Sequence, residues 1–246
     1  MQRTEELFRE DATLAECNAL VTAVDEQGLR LDRTVFYPLG GGQAGDRGEF
    51  EFADGSILAI GDTRKGSAPG EIVHVPAAGQ EALLARLAPG QPVRARIDTA
   101  RRERHRRFHT ATHLLCALVP HPVDGCSITA EYARLDFHMN EPLQREALNA
   151  GLARLVSEAH PVHQRWISET ELDANPGLVR SMSVQPPRGL GRVRVIEIEG
   201  VDLQPCGGTH VSNTAEIGPV VVTKIEKKSA MTRRVVLGFA ECDPKG

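Results

Sequence analysis

The 246-residue chain carries 29 Lys and Arg against 33 Asp and Glu, a formal charge of -4, so any nucleic-acid contact must come from a local basic surface rather than from the molecule as a whole. Its 41% hydrophobic content, with only 4% aromatic, suits a core of Leu, Val, Ala and Ile at a length that fits one large or two modest domains. Five irregularly spaced cysteines, no leading signal segment and no apolar run long enough to span a bilayer argue against a secreted disulfide scaffold or a helical membrane protein, and point to a reducing cytoplasm.

Residues 1–9 read as a mobile start. Residues 17–24 and 29–36 read as strands around a turn at Asp25, Glu26, Gln27 and Gly28. The segment YPLGGGQAGDRG follows at 37–48, with five glycines in nine residues from Gly40. That density fits a left-handed turn or a close approach of backbone to another surface or ligand, and a plain structural turn equally well. No Gly-Lys-Ser/Thr follows, so it is not a phosphate-binding loop. Residues 49–52 and 56–60 form a hairpin around Ala53, Asp54 and Gly55, and 71–75 a further strand. Leu83, Leu84 and Leu87 fit a brief helix. Repeated short strands indicate a small β-barrel domain over residues 1–90.

From Gln91 the pattern changes, and residues 91–246 read as a second, α+β domain. A strand at 93–97 leads to a helix capped by Asp98 or Thr99 and stopped near Val119 by Pro120 and Pro122. Its start is dense in arginine: Arg94, Arg96, Arg101, Arg102, Arg104, Arg106 and Arg107. Arginine forks suit phosphate, and a solvated helix face is the alternative. A strand is expected at 133–137, a helix at 141–159 opened by Asn140 and Pro142, a strand at 162–167, a short turn at 169–172, a loop at 186–191 and a strand at 192–198. Residues 220–225 and 234–239 form a closing hairpin through Lys227, Lys228, Ser229 and Ala230.

Two stretches carry the chemistry. FHTATHLLC, from Phe108 to Cys116, puts His109 and His113 four residues apart on one helix face. PCGGTHV, from Pro205 to Val211, sets Cys206 and His210 about two glycines that let the chain turn tightly. Together they offer four nitrogen and sulfur donors, enough to surround one zinc ion. The residues between the two histidines are Thr110, Ala111 and Thr112, so the acidic partner of His-Glu-x-x-His is absent. The competing reading makes His109 and His113 capped core or surface histidines and Cys206 a small buried hydrophobe. His105 and Cys116 lie near the same helix face as rival donors.

FHTATHLL and PCGGTHV, preceded by RTVFYPLGGGQAGDRG, resemble the freestanding alanyl-tRNA editing proteins of the medium-size AlaX type. These are similar to the editing domain of alanyl-tRNA synthetase and, more distantly, to that of threonyl-tRNA synthetase. The resemblance implies a small N-terminal β-barrel packed against a C-terminal α+β editing domain. It also implies one Zn2+ per chain, held by His109, His113, Cys206 and His210, through which catalysis would run. The activity implied is hydrolysis in trans of seryl-tRNA(Ala), and in many members glycyl-tRNA(Ala), with the 3' aminoacylated end of alanine tRNA as partner and no membrane or obligate protein partner. Gly40, Gly41, Gly42 and Gln43 match the loop that lines the editing pocket, and Thr34 matches the threonine placed to meet a serine hydroxyl. The segment Asp124-Gly125-Cys126-Ser127 stands where synthetase relatives often carry Gln-x-Gly-Ser, so no catalytic glutamine is carried over. Arg101, Arg102, Arg106, Lys227, Lys228 and Arg233 are the expected tRNA contacts, chosen for local positive charge. A zinc-dependent deacylase for another aminoacyl pair and a non-catalytic, zinc-containing tRNA-binding module are the alternatives.

Overall fold

The computed structural model describes residues 3–182, 185–186, 188–189 and 191–240. The chain divides into two compact units, Met1–Gly40 with Ala44–Glu103, and Gly41–Gln43 with Arg104–Gly246.

The first unit is a closed barrel whose strands run in the order Glu16–Asp25, Gly28–Leu31, Ile72–Pro76, Ile57–Lys65, Gly48–Phe52 and Pro92–Ile97. Closure leaves no open sheet edge, and side chains fill the small interior. The last strand shows the rule. Val93, Ala95 and Ile97 are buried, while Arg94 and Arg96 point outward to Glu16 at 2.6 Å and Glu51 at 2.8 Å. This strand moves the expected boundary at residues 90/91, because its period-two alternation supplies the stave between Glu16–Asp25 and Gly48–Phe52. The division instead falls between Glu103 and Arg104, inside the helix Thr99–Leu118. The start is also more ordered than its composition suggests. Glu5–Glu6 pairs with Arg33–Thr34, and the short turn Leu7–Arg9 buries Phe8 edge-on against Tyr37 with ring centres 5.4 Å apart.

The second unit combines two antiparallel sheets with helices. One sheet runs Val220–Ser229, Thr232–Phe239, Ala133–His138, Val123–Ile128, and the other Val162–Ser168, Arg192–Ile198, Asp202–Pro205. Phe108, Ala111 and Leu115 on the long helix pack with Leu152 of the helix Arg145–Ser157 and with Leu135, Phe137, Val235 and Leu237 of the larger sheet. That burial consumes one stripe of the long helix and leaves its histidine stripe for other work. Asp98 caps this helix by accepting from Arg101 N at 2.9 Å. Residues 169–172, expected as a turn, lie in the helix Glu169–Ala174, which opens with a capping box between Ser168 and Glu171. In the expected loop at 186–191, Pro187 and Leu190 lie outside the described residues. No helix among the described residues is long and apolar enough to cross a membrane.

Candidate metal centre

Four side chains that the sequence scatters over a hundred positions meet in the second unit. The ligand atoms of His109, His113, Cys206 and His210 all lie within 4.8 Å of one another. Cys206 Sγ sits 3.4 Å from His109 Nε2 and 3.2 Å from His210 Nε2. Donors sharing one tetrahedral zinc, with bonds of about 2.0–2.3 Å, stand roughly 3.5 Å apart, so the cluster is already near that spacing.

The helix supplies His109 and His113; the turn after strand Asp202–Pro205 supplies Cys206 and His210. Three features hold that turn. Arg194 Nη1 donates to Cys206 O at 2.7 Å and to Gly208 O at 2.9 Å. Arg106 Nε donates to His210 O at 2.9 Å. Gly208 lies so close to the helix that a Cβ there would stand 2.0 Å from His109 Cε1, which excludes every residue with a side chain unless the turn moves.

Each imidazole is oriented through its other nitrogen. His113 Nδ1 meets Asp202 Oδ2 at 2.9 Å, His109 Nδ1 meets Gln43 Oε1 at 2.8 Å, and His210 Nδ1 meets Thr110 Oγ1 at 3.2 Å. A carboxylate and an amide oxygen only accept, and the Thr110 hydroxyl already donates to Arg106 O at 3.0 Å. All three Nδ1 atoms therefore carry hydrogen, and all three Nε2 atoms are directed at the centre, the orientation that metal-ligating histidines require.

The thiols sort the same way. Burial pushes Cys116 and Cys126 up to about 12, so they stay protonated. Burial also works against a thiolate at Cys206, but the neighbouring His109, His210 and His113 override it and hold that thiol well below its ordinary value. Burial and the nearby His109 and His113 keep His210 neutral. Burial opposes charge on His113, yet hydrogen bonds to Asp202 and Cys206 push it up to about 10, so a proton on His113 and the thiolate are mutually stabilised. A bound cation displaces such a proton. The residues present fit a single metal ion, consistent with one Zn2+ per chain, and among the described residues the rival donors His105 and Cys116 are not part of the cluster.

The glycine-rich loop divides between the units. Gly40 stays in the first, its carbonyl accepting from Tyr37 OH at 2.8 Å, and Gly41–Gln43 belong to the second. Gly41 and Gly42 take φ of 58° and 84°, and Gly42 O accepts from Ile128 N at 2.7 Å, adding the loop to the edge of the larger sheet. Gln43, expected to touch substrate, is fully buried: its oxygen takes His109 Nδ1 and Thr209 N, and its amide donates to Thr209 Oγ1 at 2.9 Å. It orients a ligand. Nothing in the sequence linked it to an imidazole 66 positions away, nor Asp202 to His113.

Thr34 is fully buried in the first unit. His74 Nδ1 faces the carbonyl of Leu29 at 3.2 Å and must donate, so Nε2 accepts from Thr34 Oγ1 at 2.8 Å. Thr34 Oγ1 also accepts from Phe36 N at 3.0 Å, which leaves one lone pair.

The expected phosphate contacts separate by burial. Arg102, Arg106 and Arg233 are buried and committed within the fold: Arg102 to Asp46, Ala12 O and Val35 O, Arg106 to His210 O, and Arg233 to Ser229 O and Asn140 O. A buried guanidinium bound to carbonyls has no fork left for phosphate, so these three hold structure. Arg101 is partly exposed, and Lys227 and Lys228 are exposed.

The sequence is similar to that of known proteins. The family model described as threonyl and alanyl tRNA synthetase second additional domain matches residues 193–236. The chain is 33% identical over 246 residues to the alanyl-tRNA editing protein AlaX-M of Methanosarcina acetivorans, covering 94% of this chain and 97% of that one. It is 31% identical over 244 residues to the AlaX-M protein of Saccharolobus solfataricus, with coverage of 94% and 97%. To the alanine--tRNA ligase of Pyrococcus abyssi it is 32% identical over 252 residues, covering 98% of this chain and 26% of the ligase.

Proposed function

Because the chain belongs to the AlaX-M family of alanyl-tRNA editing proteins, we propose that it is a cytoplasmic aminoacyl-tRNA deacylase that hydrolyses mischarged seryl-tRNA(Ala) in trans, with glycyl-tRNA(Ala) as a second substrate. The observation that carries the reading is the cluster of His109, His113, Cys206 and His210 with each histidine held by its own acceptor.

The reaction breaks the ester between the amino acid and the terminal ribose of tRNA, with water as nucleophile. Zinc in this cluster would supply Lewis-acid polarisation of the ester carbonyl and fix its position. The protein's share is orientation. Asp202, Gln43 and Thr110 fix the ring planes, Arg194 and Arg106 fix the turn, and the left-handed Gly41 and Gly42 let backbone run where a side chain would intrude.

Selectivity follows from hydrogen bonding. Correct alanyl-tRNA lacks the serine hydroxyl, and a site that pairs with a hydroxyl rejects the analogue without it more strongly than an apolar pocket resolves one methylene. Thr34 is the proposed reader: with its own proton given to His74, its remaining lone pair accepts from the serine hydroxyl. The test is kcat/KM on seryl-, glycyl- and alanyl-tRNA(Ala), with zinc measured on the same preparation. Zinc-loaded wild type is expected to favour seryl-tRNA. Thr34→Val is expected to lower the seryl-to-alanyl ratio about tenfold, the scale of one net hydrogen bond, while keeping its zinc. Binding of tRNA without turnover of any ester would leave the non-catalytic module as the answer.

A further inference from the structure

Trp166 is the single tryptophan of the chain, and it stands 44% exposed on the edge strand Val162–Ser168. The register of the three-stranded sheet fixes which side chains share its face. Trp166 pairs with Arg194, Gln164 with Ile196, Ile196 with Gln204, and Ile198 with Asp202. Alternate residues of a strand point the same way, so one face carries Asp202, Gln204, Arg194, Arg192 and Trp166.

The polar members of that face nearest the cluster all serve it. Asp202 holds His113, Gln204 Nε2 donates to Asp202 Oδ2 at 2.8 Å, and Arg194 holds the Cys206 turn. Trp166 and Arg192 lie at its solvent end, and neither side chain makes a hydrogen bond or salt bridge to the cluster or its supports among the described residues. The Arg192 guanidinium sits 4.4 Å from the indole centre and forms no salt bridge among the described residues. From strand Asp202–Pro205 to Trp166 is two strand spacings, about 10 Å.

We infer that Trp166 and Arg192 form a stacking platform for an unpaired base of the tRNA acceptor end as that end runs to the metal cluster. The inference rests on the deacylase reading. A partly exposed indole with a guanidinium stacked over it is the pairing that holds single-stranded nucleic acid, because bases stack on indole and guanidinium planes alike and every step carries a phosphate. A protein partner would need an apolar surround. The residues next to Trp166 on its own face, Gln164, Ser168 and Arg192, are polar, and Gln164 and Arg192 are exposed, which is the wrong composition for the centre of a protein interface.

The single tryptophan reports on its own site. Zinc-loaded protein is titrated with an uncharged acceptor-stem minihelix ending in its unpaired 3' nucleotides, and with the same minihelix trimmed to a blunt end, while indole emission is followed. Saturable quenching by the first and not the second is expected. By an independent binding measurement, Trp166→Ala is expected to weaken the tailed minihelix about tenfold or more and Trp166→Phe by about twofold at most. Arg192→Gln is expected to weaken it and to reduce the salt slope by about one. Zinc content and Tm of the variants are expected to match wild type. Equal response to both minihelices, or unchanged binding in Trp166→Ala, overturns the platform. So does emission that shifts with protein concentration alone, which would mark a contact with a second copy. If wild type deacylates seryl-tRNA while the indole stays silent, only this inference falls; if wild type deacylates nothing, the deacylase reading falls first.

Discussion

Each histidine of the cluster reaches its role through a different acceptor, and the differences predict different failures. Asp202 is a carboxylate with a raising hold on His113, whereas Gln43 is a neutral amide on a loop that is otherwise glycine. Replacing Gln43 by Leu leaves His109 free to rotate and Thr209 N unpaired. Zinc affinity, measured by competition with a chromophoric chelator, is expected to fall about 10- to 100-fold, the usual consequence of losing such an orienting partner. Far-ultraviolet dichroism is expected to stay the same. Gly208→Ala is the harsher change, since the new methyl group meets the His109 ring directly, and it is expected to abolish stoichiometric zinc. Affinity in Gln43→Leu equal to wild type would return Gln43 to the substrate. The ligands themselves were legible in the sequence because helical spacing and a glycine turn are local signals. Their acceptors were not. Gln43 and Asp202 become partners of the ligands only when distant segments fold together, and no periodicity announces such a meeting.

The long helix shows how one element divides its residues between tasks. Its first turn buries Arg102 against Asp46 in the first unit, its middle gives Phe108 and Ala111 to a core and His109, Thr110 and His113 to the cluster. The arginine-dense start reads from sequence as a phosphate-binding face, and burial decides otherwise for Arg102 and Arg106. Arg102→Met is therefore expected to cost about 3–5 kcal/mol in urea unfolding by stranding the Asp46 charge, and Arg102→Met with Asp46→Leu to recover most of that loss. The salt slope of tRNA binding should not move in the refolded double variant. Lys227→Gln and Lys228→Gln, on the exposed hairpin strand, are each expected to lower that slope by about one without changing stability. The same contrast explains which strands were readable. Pro92–Ile97 and Arg192–Ile198 have an apolar stripe, while Asp202–Pro205 carries Asp202 and Gln204 on the face that supports the metal ligands, and Val123–Ile128 contains the turn-like pair Asp124 and Gly125. A strand that spends its inward positions on polar support loses the alternation by which strands are recognised.

At the scale of the whole molecule, pH separates the barrel from the metal unit through His74. The ring is fully buried, edge-on to Phe36 and Phe50 at 5.3 and 5.1 Å, and locked neutral between Leu29 O and Thr34 Oγ1. Burial lowers its pKa from 6.5 to about 4, despite the hydrogen bond to Leu29. In the unfolded chain the same ring titrates at its ordinary value, so between the two values the unfolded state binds more protons and stability rises with pH. The contribution is complete above about 6.5, is lost progressively as pH falls toward about 4, and is gone below it. The shift corresponds to something of order 3 kcal/mol. Metal ligands release their ion over part of the same range, so wild type alone cannot isolate the effect. His74→Gln keeps a donor for Leu29 and an acceptor for Thr34 without titrating. The difference in urea unfolding free energy between wild type and His74→Gln, taken at several values from pH 7.5 to 4.5, cancels the metal contribution common to both. That difference is expected to shift against wild type as pH falls, with a slope approaching one proton near pH 5. A flat difference would mean that the ring is not held neutral in the barrel, and with it would go the assignment of the Thr34 proton to His74.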